Sequence, residues 1–288
     1  MRALKNLVKT RGGPDFGECR QVSVDCGCAD IEFFVPRSHI GADAPWTWPS
    51  AVDLLNPSTL IYQEPDVKND QRTHHQHILL GIGSWGYWPP ALAFLLREPY
   101  VWATATWQIE RTKQSIQMAS GDLRRLIQYL KDDYAVYFEQ EGDGRLTCGP
   151  AWQIRNQLRE QFAVPGRNPE HYKSYIDGVL AVHLPKLPDD YTEVTFGNTS
   201  WVRYSYVPHR GLPTAINYSL PLDANHLLTL SVSLGRFLEG DEKWLAQARA
   251  DFDRLVAGTQ VHFRQLPNHQ PMPQMATNNV TDDAQCSR

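Results

Sequence analysis

The sequence predicts an α+β fold, mostly antiparallel sheets flanked by a few amphipathic helices. Three observations predict it. Several short segments alternate apolar and polar residues, the period of a half-buried strand. A few longer segments repeat apolar residues every three to four positions, the period of a helix with one buried face. Strand-like and helix-like segments do not follow one another in the regular βαβ order that a parallel sheet needs. On this reading the chain divides into two sub-domains, 20–145 and 146–265, followed by a polar, Pro-rich tail over 266–288 that is expected to be disordered.

The elements follow in order. Residues 1–20 read as a loose lead. "VSVDCGCADIEFFVP" (22–36) has strand character, with β-branched and aromatic residues ending at a proline. The next segment, 38–66, is broken by prolines and reads as loop. "HILLGIGSW" (77–85) is a short apolar run that suits a buried strand. "YVWATATWQIE" (100–110) alternates cleanly, with Val101, Ala103, Ala105 and Trp107 opposing Trp102, Thr104, Thr106 and Gln108. "SGDLRRLIQYLKDDYAVYFEQ" (120–140) predicts a helix capped by Ser120 or Asp122, with Leu123, Leu126, Ile127 and Leu130 at helical spacing. "AWQIRNQLREQF" (151–162) predicts a second helix, and "AVPGRNP" a linker or turn.

The last third is the most regular. "YTEVTFGNTSWVRYSYVP" (191–208) predicts a hairpin turning near Gly197-Asn198. "TAINYSLPLD" (214–223) and "HLLTLSVSLGRF" (226–237) predict two further strands linked through Asp223-Ala224-Asn225. "DEKWLAQARADFDRLVAGTQVHF" (241–263) opens with acids that suit a helix N-terminus. It carries Trp244, Ala248, Phe252 and Leu255 as a stripe, reaches Gly258 as a C-cap and ends in "TQVHF", a short edge strand.

Bulk properties bound the function. The 288 residues carry a formal charge of −4. Without a basic stripe, nucleic acid is not an expected partner. No run of about 18 apolar residues occurs, so no membrane span is expected. The first residues hold no apolar core of signal-peptide length, which points to the cytoplasm, or to the periplasm if a leader has been removed. Five cysteines include Cys26 and Cys28, whose spacing is not that of a zinc knuckle or a thioredoxin loop. Reduced thiols are the expected state, and no cofactor is implied. Oligomeric state is not legible.

The run "NDQRTHHQHILLGIGSW" (69–85) holds His74, His75 and His77. In a strand, His75 and His77 share a face, as paired metal ligands do, but further ligands would have to come from elsewhere; His39, Glu64, Asp66 and Asp70 are the nearest in sequence. The simpler reading is a solvated entry to a buried strand. No nucleophile elbow, phosphate-binding loop, dinucleotide fingerprint or zinc-protease helix occurs. Adjacent acids such as Asp189-Asp190 do not face one another and suit acid–base work poorly. The aromatic residues Trp46, Trp48, Trp85, Tyr87 and Trp88 lie in Pro- and Gly-rich segments, where they can line a protein interface. "VPHRGLP" (207–213) predicts an exposed turn bearing His209 and Arg210.

The segments "SWVRYSY", "INYSLPLDANHLLTLSVSL" and "DEKWLAQARADFDRLVAGTQVHF" together resemble the small α/β modules of the DcrB, Mog1 and PsbP-like group. The resemblance covers about 191–263. Such modules serve type VI secretion as effector chaperones, and several immunity proteins have comparable sheets. The lack of a catalytic constellation, the acidic balance, the loop aromatics and this resemblance together point to a non-enzymatic bacterial protein that binds and neutralises a cognate toxin or effector by occluding its active site. Partner contacts would come from Trp46, Trp48, Asp66, Asp70, Trp85, Tyr87, Trp88, His209, Arg210 and Asp223, with Asp43, Asp189 and Asp190 adding acidic surface. Two alternatives stand beside it: a metal-dependent hydrolase using His74, His75 and His77, and a secretion chaperone that holds an apolar helix of its client.

Overall fold

The computed structural model describes residues 11–37, 49–54, 77–88, 101–112, 123–139, 141, 149–162, 169–183, 187–206, 214–235 and 242–264. These form strands β1 (Arg11–Gly12), β2 (Asp15–Asp25), β3 (Ala29–Arg37), β4 (His77–Trp88) and β5 (Val101–Arg111), then helices α1 (Leu123–Glu139), α2 (Pro150–Phe162) and α3 (Pro169–His183). Strands β6 (Thr192–Phe196), β7 (Thr199–Tyr206), β8 (Thr214–Pro221) and β9 (His226–Gly235), helix α4 (Glu242–Ala257) and strand β10 (Gln260–Phe263) complete the order. The fold is α+β. A seven-stranded sheet runs β1-β4-β5-β9-β8-β7-β6 and a three-stranded sheet runs β10-β3-β2, and the pairings in both are antiparallel.

Alternation explains the central strand. Val101, Ala103, Ala105, Trp107 and Ile109 of β5 are fully buried, whereas Trp102, Thr104, Thr106, Gln108 and Glu110 are half-buried on the opposite face. The buried face carries the main core. Onto it pack the small sheet and α4, which contributes Ala248, Phe252, Leu255 and Val256. Phe33 of β3 stacks on Trp107 with ring centroids 5.0 Å apart. Gly81 makes room for that stack, because a Cβ there would lie 2.6 Å from the Phe33 ring. On the other face, α1 sets Leu123, Leu126, Tyr129 and Leu130 against Val202, Tyr204 and Leu227. Helix α2 packs on α1, and α3 on α2.

Polar anchors fix α4 to the sheet. The Trp85 indole N–H donates to the Tyr87 hydroxyl (3.1 Å), which donates to Asp251 of α4 (3.0 Å). The Tyr218 hydroxyl donates to Asp253 (2.8 Å). The Trp107 indole donates to Thr259 just past the helix (3.1 Å). Tyr87, Tyr218 and Trp107 thus place their polar atoms against partners on or just past α4, and Trp85 joins the first of these through Tyr87.

Several expectations change. Segment 22–36 is not one strand but the two arms of a hairpin, β2 and β3. Gly27 turns it at φ +74°, a left-handed conformation that suits glycine, and the Asp25 carboxylate accepts the Gly27 N–H at 2.8 Å. The supposed loose lead before residue 20 contributes β1 and the start of β2. Helix α3 occupies a stretch for which the sequence reading assigns no element. The division at 145/146 does not separate two cores. Strands from both sides of it are hydrogen-bonded into each sheet, and the main core runs from Val22 to Val261. The tail expected over 266–288 lies outside the described residues.

Candidate functional site

A groove of about 790 Å³ opens where the small sheet ends against the large one. One wall is β10 with the residues leading into it. The opposite wall is the β6–β7 turn at Gly197-Asn198 and the β8–β9 turn at Asp223-Ala224, and Leu220 and Leu222 line the groove between them.

The β10 wall is held from behind. Gly258 N–H bonds to the Arg254 carbonyl (3.0 Å) and Thr259 N–H to the Val256 carbonyl (2.9 Å), which ends α4 tightly. The Thr259 hydroxyl donates to the Leu255 carbonyl (3.0 Å) and accepts the Trp107 indole. The chain then pairs with β3, Gln260 opposite Glu32 and His262 opposite Asp30. Val261 turns into the core, while Phe263 is 54% exposed. At the end of the strand, Arg264 spans two acids of the β2–β3 hairpin. Its Nε donates to Asp30 at 3.0 Å and its terminal nitrogen reaches Asp25 at 3.2 Å. The Gly27 N–H, followed by Arg264, holds the Asp25 carboxyl below the usual carboxylate range.

The facing turn is held by Asp223. Its carboxylate accepts the Asn225 N–H at 2.7 Å and meets His226 Nδ1 at 2.8 Å. Burial works to raise this carboxyl, but the bonds from His226 and Asn225 outweigh it and leave it below the usual range. Asp223 therefore presents a charge at the groove mouth.

Cys26 and Cys28 lie in the hairpin behind this corner. Burial pushes the Cys26 thiol up to about 12 and the Cys28 thiol up to about 11, the latter with help from the Asp223 charge. The buried thiols favour the protonated form, which is a poor nucleophile. Among the described residues no three His, Cys, Asp or Glu side chains are grouped to hold a metal ion. His77 opens β4 opposite Glu110, while His74 and His75 lie outside the described residues.

The structure sorts the expected contact residues. Trp85 and Tyr87 are core residues, not interface residues: they point two apart along β4 into the buried face and are 0% and 1% exposed. Trp88 is half-buried at the end of β4, where it lies over Gly12 of β1. Asp223 lines the groove. Asp189 and Asp190 are exposed ahead of β6, with Asp190 accepting the Ser205 N–H at 2.8 Å. His39, Asp43, Trp46, Trp48, Glu64, Asp66, Asp70, His209 and Arg210 lie outside the described residues. The sequence reading omits His262, Phe263 and Arg264 from the site. The signal for them was present in "TQVHF", read as an edge strand, but not which strand it pairs with or what it faces.

Among the described residues no helix is long and apolar enough to cross a membrane. Comparison with protein-family models, with curated proteins and with solved structures finds no match.

Proposed function

We propose that this chain is a protein-binding protein whose groove receives part of a partner, and that the partner is a cognate bacterial toxin or effector neutralised by occlusion. The observation that carries this reading is the groove itself. It combines the half-buried Phe196, the exposed Phe263 and the carboxylate of Asp223 around a floor closed by the buried Leu220 and Leu222. Apolar anchors ringed by polar groups are the anatomy of a protein-recognition surface. The corner is acidic, with Asp25, Asp30 and Asp223 against Arg264, which favours a basic partner segment and speeds its capture. The resemblance of 191–263 to DcrB, Mog1 and PsbP-like modules supports the same class, since the residues lining the groove come almost entirely from that stretch.

The test is co-expression with candidate toxins taken from the genes that neighbour its own. The native chain should restore growth of a sensitive host. A Phe263→Glu/Asp223→Lys double variant that keeps the native circular dichroism spectrum should lose at least about 100-fold of that protection, the scale on which central interface residues count. Full protection by the double variant, or none by the native chain, would remove the proposal.

A further inference from the structure

Building on the reading of the groove as a protein-binding site, we infer that the partner enters it as an extended strand that adds to the free edge of β10. In an antiparallel pair, residues alternate between those that bond across to the neighbour and those whose N–H and C=O point away. The Arg264 N–H donates to the Cys28 carbonyl at 2.9 Å, so Arg264 faces β3. Counting back along the register, His262 opposite Asp30 and Gln260 opposite Glu32 also face β3. Val261 and Phe263 then turn their N–H and C=O to the other side. The far side of β3 gives the same parity: the Cys26 N–H donates to the Ala29 carbonyl, so Ala29 and Ile31 bond to β2 and leave Asp30 and Glu32 for β10. Among the described residues β10 is the edge of its sheet, so two N–H and two C=O groups along the wall of the groove have no strand partner there.

Among the described residues β10 is short, at four residues, but lacks the charges and register shift that mark the longer edges. Strand β2 carries Asp15, Glu18 and Arg20, shifts register between Asp15 and Cys19, and is bridged at Asp25 by Ala51. Strand β1 is two residues long, and β6 carries Glu193. Charges, bulges and shortness discourage strand addition. From Gln260 to Phe263 β10 has no Asp, Glu, Lys or Arg, and it ends in an exposed phenylalanine. Strand addition draws affinity from the backbone and specificity from alternate side chains. Here the inward side chains of the partner would meet Phe196 and Phe263, and a Lys or Arg would meet the acidic end at Asp223. The occupant is thus an extended, basic segment of a partner protein.

Amide hydrogen exchange on the full chain tests this directly. In the free protein the Val261 and Phe263 amides should exchange at least about 100-fold faster than those of Gln260 and His262. The probe is the peptide acetyl-Val-Thr-Val-Lys-Val-Lys-amide at up to millimolar concentration. It should slow exchange at Val261 and Phe263 at least tenfold, and a version N-methylated at alternate residues should not. Phe263→Pro deletes one open N–H while leaving the β3 ladder intact, and should weaken the probe at least tenfold; Phe263→Ala should weaken it less. The inference is overturned if both amides are already protected in the free chain, which would place a segment of the chain itself on the edge. It is also overturned if millimolar probe protects neither, or if Phe263→Pro binds as tightly as the native chain. Toxin protection separates the two claims: loss with Asp223→Lys but not with Phe263→Pro leaves the groove as the binding site and removes the strand, while loss with neither removes both.

Discussion

Asp251 and Asp223 are both carboxylates in contact with buried strands, and their surroundings push them in opposite directions. Asp251 accepts the Tyr87 hydroxyl. Burial nevertheless dominates and raises its carboxyl above the usual range, against the Tyr87 bond and Arg254. Between the ordinary and the raised value the folded state holds more protons than the unfolded chain, so this group makes stability fall as pH rises through the carboxylate range. Asp223 is lowered. There the unfolded chain holds more protons, so its contribution is present above the ordinary carboxylate value and is lost as pH falls through the lowered one. The two Asn variants should therefore diverge. Asp251→Asn keeps an acceptor for Tyr87 and should be more stable than the native chain at pH 7, an advantage that fades toward pH 3. Asp223→Asn should cost about 1–2 kcal/mol at pH 7, the scale of a lost charge-assisted bond, and less in acid. Urea titrations from pH 3 to 7 decide it, and parallel profiles for the two variants would refute the assignment. Neither role could be read from the sequence, because nothing there sets Tyr87 beside a residue 164 positions away. Trp85 and Tyr87 are expected at an interface but lie in the core. They sit two apart on a segment already read in part as a strand, and the surrounding glycines obscured an alternation that was present.

Glycines decide how the elements meet. Gly27 has a left-handed φ of +74° with open space around it. Gly27→Ala should cost only backbone strain, about 1–2 kcal/mol, and leave packing untouched. Gly81 is the converse case. A methyl group there would press on the Phe33 ring, and that ring is fully buried and stacked on Trp107, so it has nowhere to move. Gly81→Ala should cost about 1–3 kcal/mol by overpacking. It should also shift the near-ultraviolet circular dichroism of Trp107, whereas Gly27→Ala should not. Equal near-ultraviolet spectra for both would mean that the sheets do not meet at this stack. Elements with a strong period were legible: β5, the β6–β7 hairpin at Gly197-Asn198, α4 and β10. The β2–β3 hairpin was not, because its turn is Cys26-Gly27-Cys28 and not one of the dipeptides that announce a tight turn. Helix α3 was not, because Gly178 interrupts it and Tyr175 and Val182 stand exposed beside the buried Ile176 and Leu180, which blurs the stripe.

The order of strands is the part that no local pattern records. Alternation tells that a segment pairs and which face it buries, but not with whom. Strand β5 lies between β4 and β9, and β3 between β2 and β10, so each sheet is closed by a strand from the far end of the chain. The same non-local pairing makes the groove, since its β10 wall exists only once β10 has docked on β3. A cut at 145/146 should therefore yield no folded half. The N-terminal piece would expose the β5 edge that β9 covers and the β3 edge that β10 covers, and would lose the α4 residues that bury Trp85 and Phe33. The C-terminal piece would keep β6 to β9 but leave the buried face of β9 without the small sheet. Expressed separately, 1–145 and 146–288 should both lack cooperative thermal unfolding. The intact chain should unfold in one transition, with tryptophan fluorescence and far-ultraviolet circular dichroism coincident, because the main core crosses the cut. Refolding should be slow, on the scale of milliseconds to seconds or longer, because most of the closing contacts are distant in sequence. A cooperative transition in either half alone would show that the shared core is not what holds the molecule together.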